Sequence, residues 1–357
     1  MKIAVYGICL NEANNVEGYM ACAAEADLVV MADTGSTDGT GERFRALGAQ
    51  LHDIRILPWR FDDARNAALA LVPAEVDVCV SLDLDNRLPS GWRDIVERAF
   101  VGPVNQLNYT SLWARTADGA PRRFLDNRIH ARSGFRWTGP CHEYLAPVGG
   151  PARPATAADL VVEQFMDLEK PRTQYLPLLE MAVAERPDDR RSLHYLGREY
   201  AFHGRLAEAV AMFERYLTMP PAMFDAERSA TLRLMAECER GRGDAERALR
   251  LCHQAAEENP TLRGAWTDLA CAHYHAERWE ACWAAARQAT ALPDQAQAYG
   301  AEAWSAVLPE DLAAISGWRL GHRREALAFG RAALAKAPGS ERIRANVEQM
   351  ARALGEP

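Results

Sequence analysis

Two carboxylates one residue apart, Asp83 and Asp85, follow an apolar run (Val76-Asp77-Val78-Cys79-Val80) that reads as a buried strand. On an extended chain the two side chains splay to opposite faces. If the chain turns there, both can approach one hard cation, and Mg2+ or Mn2+ takes such oxygen ligands and bridges a carboxylate to substrate phosphates. A solvated turn uses the same residue types, so the surroundings decide. Three more polar clusters follow strand-like runs: Asn11-Glu12, Asp33 to Thr40, and Trp59 to Asn66.

The elements that would position these clusters alternate. Strands are expected over Lys2 to Leu10, Leu28 to Ala32, Leu51 to Leu57 and Val76 to Leu82. Helices are expected over Asn14 to Ala26, Gly41 to Leu47 and Ala64 to Leu71, the last with Asp62 or Asp63 at its N-cap. Strand–helix alternation predicts a mostly parallel sheet with right-handed crossovers, which gathers the four clusters in one crevice at the strands' carboxyl ends. Neither a Gly-x-Gly-x-x-Gly nor a Gly-x-x-x-x-Gly-Lys-Ser/Thr motif occurs, which disfavours dinucleotide and P-loop readings.

The ordered set Cys9-Leu10-Asn11-Glu12, Asp33-Thr34-Gly35-Ser36-Thr37-Asp38-Gly39-Thr40, Phe61-Asp62-Asp63-Ala64-Arg65-Asn66 and Leu82-Asp83-Leu84-Asp85 resembles the GT-A (Rossmann-like) fold of family 2 glycosyltransferases. The resemblance implies a nucleotide-diphosphate sugar donor, UDP-sugar favoured, and Mn2+ or Mg2+. It implies donor contacts at Leu10, Asn11, Glu12, Asp33, Arg65, Asp83 and Leu84, with Asp33 on base or ribose and Arg65 at the nucleotide end. Asp85 is the implied direct metal ligand, with Asp83 serving ribose and metal shell. Asn86-Arg87 departs from the usual continuation and puts a positive charge near the metal site; Arg87 could assist diphosphate binding or face solvent, and solvent is the expectation.

Downstream, Trp92 to Phe100 reads as a helix. Asn105 to Arg115 and Arg122 to Ala131 read as strands joined at Asp118-Gly119, a hairpin signal. The segment Phe135 to Glu143 resembles the acceptor side of the same enzymes, where a histidine completes the metal's coordination; His142 matches. An inverting transfer needs a carboxylate to take the acceptor's proton. Glu143 is the first candidate and Asp126 the second, while Glu143 could instead orient His142. Arg122, Arg123, Arg128, Arg132 and Arg136 concentrate basic charge in a chain of net charge −8. A solvated hairpin accounts for them, and so does an anionic acceptor such as DNA, with Arg123 and Arg128 on phosphate and Phe135 and Trp137 for stacking.

Gly149 to Pro154 reads as a linker and Asp159 to Phe165 as a last strand, so the catalytic domain is expected over 1–168 and a second domain over 169–357. Leu196-Gly197-x-x-Tyr200, Gly204, Ala209-x-x-x-Phe213 and Pro220 match the tetratricopeptide pattern, and three looser units follow, closing at Pro260, Pro293 and Pro338. The uneven period places insertions near 221–225 and 294–306, and Ile343 to Leu354 caps the array. Such arrays present a surface to a peptide, a partner or a second copy of the chain. Hydrophobic content of 48% and charge of 25% are ordinary for a globular protein. The eight cysteines lack a Cys-x-x-Cys pair, and no apolar run reaches membrane-spanning length, so a cytoplasmic protein with free thiols is expected.

These readings combine into a metal-dependent, inverting glycosyltransferase joined to an all-α, TPR-like repeat domain. Its acceptor is a peptide or protein side chain, or a hydroxymethylated DNA base of phage type. The rival is a catalytically weak nucleotide-sugar-binding scaffold whose repeats recruit partners.

Overall fold

The structure, a computed structural model, describes residues 1–113, 122–165, 174–220, 225–293 and 308–356. It divides into two compact units, Met1–Ser192 and Leu193–Pro357. The 168/169 boundary, the Asp118-Gly119 turn and the expected insertions near 221–225 and 294–306 lie wholly or almost wholly outside the described residues.

The first unit holds strands β1 (Ile3–Cys9), β2 (Leu28–Asp33), β3 (Gln50–Asp53), β4 (Val78–Ser81), β5 (Asn86–Arg87), β6 (Gln106–Trp113), β7 (Arg122–Ala131), β8 (Phe135–Thr138), β9 (Tyr144–Pro147) and β10 (Pro154–Gln164). Its helices are α1 (Val16–Cys22), α2 (Thr40–Ala46), α3 (Phe61–Leu71), α4 (Trp92–Ala99) and α5 (Tyr175–Glu185). Eight strands form one sheet in the order β3-β2-β1-β4-β7-β6-β10-β5, and β8 and β9 form a separate hairpin. The first four strands are parallel. β7 is antiparallel to both β4 and β6, β10 is parallel to β6, and β5 is antiparallel to β10. The expectation of a mostly parallel sheet is therefore corrected to a mixed one. β6 and β7 are too close in sequence for a crossover, and a short connection forces antiparallel pairing.

β1 is buried along nearly its whole length, as a central strand covered on both faces should be. Its residues alternate between two cores. Ile3 and Val5 pack with Val16 and Tyr19 of α1, Phe44 of α2 and Trp92 and Val96 of α4. Ala4 and Tyr6 pack with Ala68 and Leu69 of α3 and with Trp137 and Leu145 of the β8–β9 hairpin. Gly7 sits where a Cβ would lie 2.6 Å from the Leu82 carbonyl, so only glycine lets β1 come this close to the chain leaving β4. The expected strand over 51–57 shrinks to β3, an edge strand paired only with β2. Neither Asp62 nor Asp63 caps α3; the cap position is Arg60, and Asp62 is drawn instead to the Gly139 amide and the Arg60 guanidinium.

The elements of the second unit among the described residues are all helices. α6 (Arg190–Phe202), in whose first turn the division falls, is followed by α7 (Leu206–Thr218), α8 (Asp225–Gly241), α9 (Ala245–Glu258), α10 (Arg263–His275), α11 (Trp279–Ala291), α12 (Pro309–Arg319), α13 (Arg323–Lys336) and α14 (Glu341–Leu354). Helices pair across tight turns whose hinge residues, Gly204, Gly243, Glu277 and Gly321, all have left-handed backbone, with φ of 71°, 90°, 54° and 89°. Glutamate occupies the second-to-last hinge, where the other three have glycine. Small residues set helix contact: a Cβ on Gly197 would lie 2.5 Å from the Phe213 ring, and Gly317 lies against Trp283. Ion pairs join α8 to α9 at Arg228–Glu258 (2.9 Å), α8 to α10 at Arg233–Asp268 (2.5 Å) and α10 to α12 at Arg263–Glu310 (2.6 Å). Among the described residues no helix is long and apolar enough to cross a membrane.

Candidate active site

The carboxyl ends of β1, β2 and β4 lie side by side, and their motifs are tied together. Asn11, with φ of 53°, donates its main-chain N–H to Ser36 Oγ (3.0 Å) and accepts the Thr37 N–H on Oδ1 (2.8 Å). The Glu12 N–H donates to Thr40 Oγ1 (2.8 Å) and the Ala13 N–H to Asp38 Oδ2 (3.0 Å). Asp33 is buried, and its Oδ1 accepts the Gly35 and Ser36 N–H groups. The Ser/Thr/Asp content of this motif thus ties the loop after β2 to the loop after β1. Leu10 is half exposed in the latter.

At the end of β4, Asp83 accepts from Arg65 Nη2 on Oδ1 (2.7 Å) and from Arg128 Nη1 on Oδ2 (2.6 Å). Arg65 Nε donates to Glu143 Oε1 (2.5 Å), and Arg128 Nε lies 3.3 Å from Asp126 Oδ2. Arg65 and Glu143 are almost fully buried, while Asp83 and Arg128 side chains keep 28% and 25% of their exposure. Burial alone would raise the Asp83 pKa, yet Arg65 and Arg128 outweigh it and hold the carboxyl well below the usual carboxylate range. Burial likewise pulls Arg65 and Arg128 down, but their carboxylate partners keep both above the ordinary arginine value.

The two guanidinium groups are set by a wall behind them. Their Cζ atoms stand 4.9 and 5.9 Å from the Trp137 ring centroid, a cation–π arrangement. Asn66 clamps the Trp137 backbone at two points, accepting its N–H and donating to its carbonyl, both at 2.9 Å. The Phe61 N–H donates to the Pro140 carbonyl, and Asp62 accepts from Gly139. α3 thus fastens residues 137–140 while Arg65 joins Asp83 to Glu143. The Trp137 indole donates to Tyr6 Oη (2.8 Å), and Tyr6 lies 2.9 Å from His130 Nε2. An indole N–H can only donate, so the Tyr6 proton goes to His130 Nε2, and Nδ1–H donates to the Ala131 carbonyl (2.8 Å). Burial holds His130 neutral by lowering its pKa to about 4.

Several expected contacts are placed differently. Trp137 is 1% exposed, so it braces arginines and cannot stack on an acceptor, and Phe135 is also buried. Leu84 packs into the core as an apolar side chain should; its carbonyl accepts from Arg87 Nη1 (2.7 Å). Arg87 does not face solvent freely. It also donates to Asn15 Oδ1 (3.3 Å), and its guanidinium fills space that Gly18 leaves open. Arg128 is engaged by Asp83, and Arg132 donates to the Val72 carbonyl. Arg123 is exposed on β7. Asp85 Oδ2 accepts from Gln164 (3.1 Å). The His142 ring stacks on Tyr175 of α5 (5.6 Å, 14°), and its carbonyl accepts from Arg191.

Two guanidinium groups, one on each Asp83 oxygen, already balance this carboxylate and oppose a divalent ion beside it. Among the described residues, no three His, Cys, Asp or Glu side chains come together in a way that could hold a metal ion. Tyr6 and His130, which set the site from behind, carry no signal of that role in the sequence, while Asp62 reads there only as a helix cap. Asn66 stands next to Arg65 in a motif that does draw attention.

No family model matches the sequence, and no curated protein matches it. Among solved structures, the chain is similar to MamA (TM-score 0.38, 14% identity, 49% of this chain and 96% of that one). It is also similar to PilF of Pseudomonas aeruginosa (0.39, 14%, 50% and 72%) and to YrrB, a TPR protein with an unusual peptide-binding site (0.37, 13%, 50% and 83%). Each similarity spans about half of this chain.

Proposed function

We propose that the first unit transfers a sugar from a nucleotide-diphosphate sugar, UDP-sugar favoured, to a peptide or protein side chain. The observation that carries this reading is the Asp83–Arg65–Glu143 linkage, which joins the end of β4 to the segment after β8, with the ends of β1 and β2 alongside in the sheet. Oxygen-rich loops at the carboxyl ends of parallel strands suit a nucleotide. Asp126 is the better-placed proton acceptor, since its side chain keeps 17% exposure against 8% for Glu143. A DNA acceptor loses support, because Trp137 and Phe135 are interior and Arg128 is paired. The helical unit supplies a surface for a peptide, a partner or a second copy.

The test is incubation of the whole chain with a panel of UDP- and GDP-sugars and with peptide or oligonucleotide pools, read by mass spectrometry. A mass gain of one sugar on peptide supports the reading. A gain on oligonucleotide alone moves the acceptor to DNA, and no transfer or donor hydrolysis with any donor removes the enzyme. The scaffold reading is favoured by one observation: both candidate bases, Glu143 and Asp126, are ion-paired with arginines.

A further inference from the structure

The residue that departs most from the sequence-based expectation is Arg128. We infer that it is a resident counter-ion occupying the place of a divalent cation at Asp83, so that a nucleoside diphosphate binds the crevice without added metal. This inference rests on the nucleotide-sugar reading of the same site.

Three features carry it. First, the cationic partners of Asp83 are already complete, at 2.7 Å from Arg65 and 2.6 Å from Arg128. Each Asp83 oxygen already accepts from a guanidinium, so a divalent cation would have to share this carboxylate with two positive charges beside it, and like charges so close repel. Second, Arg128 is built in place. It stands on β7 just before the Ile129 pairing with β4, its Cζ lies 5.9 Å from the Trp137 ring, and Asp126 stands on the same strand. Third, the pair retains capacity for an anion. Arg65 Nη1 is buried with no hydrogen-bond partner, which is rare for so strong a donor. Arg128 is a quarter exposed, and Asp126 at 3.3 Å is the longer of its two ion-pair contacts. Guanidinium groups take phosphate oxygens in forked geometry and stabilise transferring phosphoryl groups as a metal does elsewhere. An arriving diphosphate thus competes with Asp126 for Arg128, while Arg65 and Arg128 keep Asp83 from repelling it.

The experiment is calorimetric titration of the whole chain with UDP and GDP, once in EDTA and once in Mn2+, for wild type, Arg128→Gln and Arg128→Lys. Wild type is expected to bind one of the diphosphates with Kd values in EDTA and Mn2+ that agree within about twofold. Arg128→Gln should lose about tenfold or more in EDTA and recover part of the loss in Mn2+. Arg128→Lys keeps the charge without the fork, so it should lose less and stay indifferent to Mn2+; it also serves if Arg128→Gln does not fold. Binding by wild type only when Mn2+ is present overturns the inference and leaves the nucleotide reading intact. Binding by Arg128→Gln in EDTA as tight as wild type overturns it as well. No binding of either diphosphate, with or without Mn2+, removes both.

Discussion

Buried charge is organised differently in the two units. In the sheet unit it converges: Arg65 touches Asp83 and Glu143, Arg128 touches Asp83 and Asp126, and both arginines lie against one tryptophan. In the helical unit it is spread over several smaller groups, such as Glu310 with Arg263 and Lys336, Glu239 with Arg242 and Arg247, and the pairs Arg233–Asp268 and Arg228–Glu258, which tie one helix to another. Such groups tie helices within a repeat, as Arg228–Glu258 does, and between neighbouring repeats, as Arg233–Asp268 does. A converging network holds several charges at one point, which a fold tolerates at a cost and which suits a site for a charged ligand.

The largest test of that contrast is Arg65→Gln. It leaves Asp83 and Glu143 short of their shared partner and is expected to cost about 3–5 kcal/mol. Urea unfolding gives the size, and hydrogen exchange should show lost protection along β1, β4 and α3 and none in α8 to α11. A loss spread equally over both units would break the contrast.

Acid comes next. An unfolded histidine takes up its proton near pH 6.5, but His130 does so only near pH 4. Between these values the unfolded chain holds more protons, so stability falls as the pH drops, by about 3 kcal/mol in total. The depressed carboxyls Asp83 and Glu310 act at lower pH: their contribution is present above the ordinary carboxylate pKa and is lost as pH falls below it. Stability measured against pH for wild type and His130→Gln should differ in slope between about pH 6.5 and 4. Parallel curves would show that His130 does not titrate as its burial requires.

In the helical unit, Gly317→Ala drives a methyl group into the Trp283 ring and should cost about 1–3 kcal/mol, read from the urea midpoint. The smallest effect has the opposite sign. Glu277→Gly relieves left-handed backbone at the one described helix-hairpin hinge without glycine and should stabilise by about 1 kcal/mol, read as a rise in Tm. An unchanged Tm would mean that the Glu277 side chain makes up for its backbone.

Much of this was legible before the fold was seen, and for a local reason. The apolar runs that became β1, β2 and β4 are continuous because both faces of those strands are covered. The helix pairs announced themselves through glycine at hinges and small residues at helix crossings. The strand order past β4 was not legible, since pairing partners are chosen by connections and packing far along the chain. Arg87 and Trp137 show the same limit. One reads as a surface charge and the other as an exposed ring, yet Gly18 leaves space for the first and Asn66 clamps the second inside.

The sequence by itself determined where β1, β2 and β4 end and where the glycine hinges fall, and that acidic, amide and hydroxyl residues collect at those strand ends. Only the tertiary structure decided what those residues do to one another. Arg65 meets Asp83 across 18 positions and Glu143 across 78, and Arg128 reaches Asp83 across 45. Periodicity and turn chemistry act over a few residues, whereas a charge is defined by whichever partners the sheet brings within hydrogen-bonding distance. That is why Asp83 reads as a metal ligand in the chain and stands as an arginine-held carboxylate in the fold.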